Sequence, residues 1–206
     1  AMIERNVRKF LYNRASSNGI ELHSLIRDEE VCLSSTRKAI ALAEKHGTRL
    51  MVAHVSTAAE LDEIARHAEL VKAEVCVAYL TFSDQDYARL GARIKCNPAI
   101  KHESDRQALR RGLANGMVHT IATDHAPHLL SSKEGGVQKA ASGMPGVQFS
   151  LVMMLQMVDE GVLTMQQVVQ LMCHNPASYF NVKQRGYLRP GYKADLTIVR
   201  HLDEAH

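Results

Sequence analysis

Apolar residues in this chain gather in a few short runs, separated by longer stretches in which they recur every three or four positions. The runs at 49–57, 73–80 and 120–123, the last of them β-branched, predict buried parallel strands. Residues 93–98 predict extended backbone that stops in a loop, because a residue before proline avoids the helical region. The spaced stretches predict helices. Ile3, Val7, Phe10 and Leu11 mark the first, broken at Asn18-Gly19. Asp28 as N-cap and Gly47 as the C′ residue bound the second, with Val31, Leu33, Ile40, Leu42 and Ala43 as its apolar face. Thr57-Ala58-Ala59-Glu60 and Ser104-Asp105-Arg106-Gln107 match capping boxes, opening helices that end near His67 and Gly116.

The second half reads differently. Residues 131–142 are polar, with Gly135-Gly136 at the centre, and predict a mobile loop over the strand ends. No Lys-Ser or helix start follows those glycines, which argues against a phosphate loop. Residues 143–146 predict a tight turn into a helix over 147–160, which Gly161 ends. Thr164 starts the next helix, and Asn175-Pro176 supplies a cap and first-turn proline for a further short one. Residues 186–199 predict a turn and a strand outside the parallel sheet, forming a small β appendage. Strand, helix, strand, helix, strand is the grammar of a parallel α/β fold.

Composition narrows the function classes. The 206 residues are 46% hydrophobic and 23% charged, the balance of a soluble globular chain. A net charge of +3 without a basic block gives no footprint for nucleic acid. No apolar run reaches membrane-spanning length. Cys32, Cys76, Cys96 and Cys173 lie far apart without a C-x-x-C pair, as expected of free thiols in a reducing cytoplasm. Ala1-Met2 reads as a tag remnant ahead of a start methionine.

The chemistry concentrates at Thr120-Ile121-Ala122-Thr123-Asp124-His125-Ala126-Pro127-His128. An apolar strand ends here in an acid and two histidines, as a strand does when its C-terminal end opens into a site. Asp124 can ligate a metal or take a proton, with imidazole nitrogens nearby. The alternative is a polar turn in which Asp124 caps the next element. His54 also ends a strand, as a metal ligand or as a histidine bonded to a carbonyl. The methionines at 153 and 154 fall on a helical face as core filler.

Val52-Ala53-His54-Val55-Ser56-Thr57, Ala73-Glu74-Val75-Cys76-Val77, Ile94-Lys95-Cys96-Asn97-Pro98-Ala99-Ile100 and Ile121-Ala122-Thr123-Asp124-His125-Ala126-Pro127-His128 stand in that order. With Gly186-Tyr187-Leu188-Arg189-Pro190-Gly191-Tyr192-Lys193-Ala194-Asp195-Leu196, they resemble the C-terminal part of a dihydroorotase, from about His23 to Val199. The resemblance implies part of a (β/α)₈ barrel, about its last three strand–helix units, over residues 1–182. Residues 183–206 would form a β segment of a sandwich-like domain. It also implies a cytoplasmic, zinc-dependent interconversion of N-carbamoyl-aspartate and dihydroorotate, a step of pyrimidine synthesis. By resemblance, His54 ligates the more exposed of two zinc ions, and Asp124 ligates the buried one and acts as general base. Asn97 and His128 contact the substrate's ring and carboxylate, and the backbone around Gly143 helps hold the ring.

Departures from the family pattern set the remaining expectations. No His-x-His pair occurs in the sequence, and Ala78-Tyr79 stands where relatives often carry His-His. The family's fourth-strand carboxylate or carboxylated lysine and its fifth-strand histidine have no counterpart either. About two metal ligands remain, so partial or poor zinc binding and an inactive isolated chain are expected. An open three-strand piece exposes two sheet edges, which predicts a homo-oligomer or an N-terminal complement. A small-molecule substrate is expected, with no nucleic acid or membrane partner. The alternatives are a catalytically silent remnant or interaction module and, within the enzyme class, a hydantoinase- or allantoinase-like hydrolase.

Overall fold

The structure, a computed structural model, describes residues 2–12 and 19–200. Ala1, the predicted break at Asn18, His201 and His206 lie outside the described residues. Helix α1 (Met2–Val7) continues into a π-helical turn, Arg8–Tyr12, and the short α2 (Leu22–Ile26) packs beside it. Helix α3 (Glu29–His46) has the predicted ends. The Asp28 carboxylate accepts from the Val31 amide at 3.0 Å, and Gly47 is left-handed with φ 59°. Its buried face is Cys32, Thr36, Ile40 and Ala43, whereas Leu42 of the predicted face is exposed. Thr36 takes a core position because its hydroxyl donates to the buried Glu60 carboxylate at 2.8 Å.

Strand β1 is only Leu50–Val52, shorter than the predicted run, because the backbone turns left-handed at His54. Helix α4 (Ala58–Ala65) follows, and the Thr57 hydroxyl accepts from the Glu60 amide at 3.1 Å as its cap. The Glu60 carboxylate accepts from the Ser56 amide and the Thr57 hydroxyl, which locks the strand-to-helix corner. Strand β2 (Val71–Cys76) begins earlier and ends earlier than predicted, and Val77–Thr81 forms α5. After a 3₁₀ turn capped by Ser83 come α6 (Tyr87–Leu90) and a second 3₁₀ turn, Gly91–Ile94, which replaces the start of the predicted extended segment. Helix α7 (Glu103–Ala114) starts at the N-cap His102 and not at Ser104. Asp105 accepts from the Ala58 amide at 2.9 Å, tying α7 to the first turn of α4 in place of the predicted capping box. Strand β3 is Val118–Ala122.

The three strands form one parallel sheet in the order β1-β2-β3, with a register shift between Ala73 and Glu74. Val71, Ala73 and Val75 of β2 are buried beneath the helices, packed with Leu61, Ile64, Leu109 and Leu113. Their alternates Lys72 and Glu74 stay half-buried on the opposite face, the period of two expected of a strand. Met154 and Met157 of α9 (below) are fully enclosed in the same core.

Residues 131–142, predicted as a mobile loop, contain a 3₁₀ turn (Leu130–Lys133) and α8 (Gly136–Lys139). Val137 packs with Leu22 and Ile26, so the N-terminal helices cover this segment. Helix α9 (Ser150–Asp159) begins later than predicted, and α10 (Met165–Val169) has the Thr164–Gln167 capping box. A π-helical turn carries α10 into α11 (Asn175–Tyr179), so Asn175 caps nothing. Its side chain donates to the His119 carbonyl at 2.7 Å instead. Residues 183–200 form turns and irregular backbone, without the strand predicted for the C-terminal appendage. Their β-branched run meets no partner ladder among the described residues, and Leu188 and Ile198 are 86% and 94% exposed. Cys32, Cys76 and Cys96 are buried free thiols and Cys173 an exposed one. No helix among the described residues is long and apolar enough to cross a membrane.

Candidate metal and substrate site

His54 and Asp124 occupy equivalent places, each two residues beyond the end of its strand. Both are left-handed, with φ 44° and 45°. Such backbone costs a non-glycine residue about 1–3 kcal/mol and is concentrated at functional sites. The Val55 amide holds the His54 turn by donating to the Glu74 carbonyl at 2.8 Å. The two turns put a histidine and an acid at the same end of a parallel sheet, where α/β proteins build their sites.

Glu74 of β2 stands between them, and sequence reasoning passed over it as part of a strand. Its carboxyl is hydrogen-bonded to the His54 backbone. Burial pushes its pKa up, the His54 contact works against that, and the Asp124 charge adds to the rise. One signal was available: within the apolar run 73–80, Glu74 is the one charged residue.

The remaining predicted residues fall into two groups. Asn97 shares a cleft of about 440 Å³ with His54, bounded by Arg27, α3 and the free edge of β1. The peptide bond to Pro98 is cis. The Pro98 carbonyl accepts from the Tyr79 hydroxyl at 2.9 Å and the Cys96 thiol at 3.2 Å. Burial pushes the Tyr79 hydroxyl up and the Cys96 thiol to about 11, so both remain protonated donors. Tyr79 therefore anchors the loop bearing Asn97.

His128 and Gly143 form the second group, on the Asp124 side. His128 Nε2 donates to the Ser142 carbonyl at 3.0 Å. A Cβ on Gly143 would lie 2.5 Å from the Ala126 carbonyl oxygen, so only glycine permits this approach. Two lysines brace the segment. Lys133 Nζ donates to the carbonyls of Lys95, Ala141 and Gly143 at 3.0, 3.0 and 2.6 Å. Lys95 Nζ donates to the carbonyls of Val137 and Ala140. Burial holds both ammonium groups below the usual lysine range.

Among the described residues, no group of three or more His, Cys, Asp or Glu side chains closes into a metal site. A catalytic zinc takes about three protein ligands, so this chain's donors do not by themselves fit one.

The sequence matches the amidohydrolase family over residues 13–204. It is 37% identical over 163 residues to a dihydroorotase of Syntrophus aciditrophicus, covering 78% of this chain and 38% of that protein. It is 30% identical over 200 residues to a dihydroorotase of Methanosphaera stadtmanae, covering 96% of this chain and 46% of that one. Its fold is similar to an L-hydantoinase (dihydropyrimidinase) from Arthrobacter aurescens, with TM-score 0.88, 27% identity, and coverage of 94% and 44% of the two chains. The chain thus spans less than half the length of these relatives, and its sheet corresponds to part of their (β/α)₈ barrel.

Proposed function

The chain belongs to the amidohydrolase family, and we propose that it supplies the C-terminal half-site of a dihydroorotase-type cyclic amidohydrolase. The observation that carries this reading is the matched pair of left-handed strand ends presenting His54 and Asp124, with Glu74 between. In this reading His54 and Asp124 are zinc donors, and Asp124 also holds the proton that passes to the leaving nitrogen. Asn97 and His128 contact the substrate, and the backbone at Gly143 lines its ring. Two zinc ions belong to the completed site; with two donors, this chain alone binds zinc poorly and turns over no substrate.

In this reading the remaining walls of the site are supplied by barrel strands outside these residues, on the same chain or on another. The outer edge of β1 has no paired strand among the described residues, and the adjoining cleft runs along it beneath α3. An N-terminal amidohydrolase segment adding a parallel strand there completes the sheet; a second copy of this chain is the competing occupant. A second substrate reading, a hydantoin or dihydropyrimidine ring, draws on the likeness to the hydantoinase structure. The test mixes this chain with the N-terminal part of the Syntrophus relative and assays ring opening of dihydroorotate and of hydantoin. Dihydroorotate opening that Asp124→Ala abolishes supports the proposal. A zinc-loaded complex that opens hydantoin alone, or opens neither ring, overturns the dihydroorotase assignment.

A further inference from the structure

We infer that His125 is a positioning residue that seats the 143–147 turn against the strand end at Asp124, and that it is not a metal ligand. His125 Nδ1 accepts from the Gly146 amide at 3.0 Å and from the Val147 amide at 3.2 Å. Both donors are backbone N–H groups, so the direction is fixed: Nδ1 carries the lone pair and the proton of the neutral ring sits on Nε2. In this tautomer the one lone pair in the ring plane is engaged by two amides. Neither nitrogen then offers a metal a donor, although His125 stands next to Asp124 in the motif.

The turn it seats lies directly on the motif. The Ala126 amide donates to the Met144 carbonyl at 3.0 Å, and the Gly143 amide donates to the Lys95 carbonyl at 2.8 Å. A Cβ on Gly146 would meet the Thr123 carbonyl oxygen at 2.8 Å, so the two backbones touch with no side chain between them. His128 and Lys133 fix the 142–143 end through its carbonyls, and His125 fixes the 146–147 end through its amides. The Gly146 carbonyl in turn accepts from the Phe149 and Ser150 amides, so His125 also sets where α9 begins. The functional weight of this brace rests on the reading of the Gly143 segment as the wall that holds the substrate ring.

The experiment is ¹⁵N NMR of the full chain, comparing wild type, His125→Asn and His125→Ala. The asparagine oxygen falls where Nδ1 sits and keeps the acceptor. Expected are a protonated Nε2 and bare Nδ1 in wild type, unchanged by added zinc. Slow exchange of the Gly146 and Val147 amides should persist in His125→Asn. In His125→Ala it should rise about tenfold at those two amides, with Ala126 and Gly143 unaffected. Equal exchange in all three proteins, or a zinc-dependent shift of the His125 ring nitrogens, overturns the inference. If His125→Ala does not fold, the wild-type ring spectrum with and without zinc decides. Absence of zinc binding by an assembled complex would count against the half-site proposal and leave the exchange pattern standing.

Discussion

On the Asp124 side, the loops at 95–98, 124–128 and 140–147 are tied to one another by buried lysines, two histidines and backbone contacts. On the His54 side, a three-residue strand runs beside an open cleft; β1 and β3 are both edge strands among the described residues. The two turns have the same left-handed backbone, yet only the Asp124 turn lies against loops braced by side chains of this chain, and Asp124 itself stays exposed where His54 is half-buried. The Asp124 side draws its partners from the 140–147 segment that follows it within about twenty residues and from the 95–98 loop that precedes it, a longer closure that costs only slightly more. The open side has no such brace among the described residues.

Lys133→Met should have the largest effect. It leaves three carbonyl oxygens without their ammonium donor, at a cost of about 3 kcal/mol, measurable as a shift of the urea midpoint. A loss below ~1 kcal/mol would mean that the Asp124 side is not held by its lysine brace.

Acid should loosen the same side by a comparable amount. His23 Nε2 bonds the Cys96 carbonyl at 2.8 Å, and burial lowers its pKa to about 4 from 6.5. Below pH 6.5 the unfolded chain takes up a proton that the folded chain refuses. Stability is therefore complete above pH 6.5 and falls as the pH drops toward 4, by up to roughly 3 kcal/mol. His23→Gln keeps a donor without the titration, so its melting temperature should fall less over that window.

Thr57→Ala probes the open side and should cost least, about 1 kcal/mol, the value of a helix cap. A cost as large as that of Lys133→Met would show that the β1–α4 corner is as tightly built as the opposite side, and would erase the contrast.

Parts of this arrangement were legible in the sequence. Asp28, Gly47, Thr57 and Thr164 announce helix ends through local hydrogen bonding, and the structure has them there. The strands that end before His54 and Asp124 show as short apolar runs. The end of β2 did not show, because residues 73–80 are one apolar run and periodicity cannot separate a buried strand from a buried helix. Lys95 and Lys133 look like surface residues until the carbonyls that surround them are known. His125 and His128 look like ligands because a sequence gives the ring and not its partners. The run near Ile198 has strand propensity, but propensity forms no strand without a ladder to join.

Whether this chain carries half of a metal site is decided by a zinc-binding isotherm of the purified chain against a chelating indicator. A half-site predicts weak binding, less than one tightly held ion per chain, reduced by either His54→Ala or Asp124→Ala. Two tightly bound zinc ions per chain, or binding indifferent to both substitutions, would contradict it.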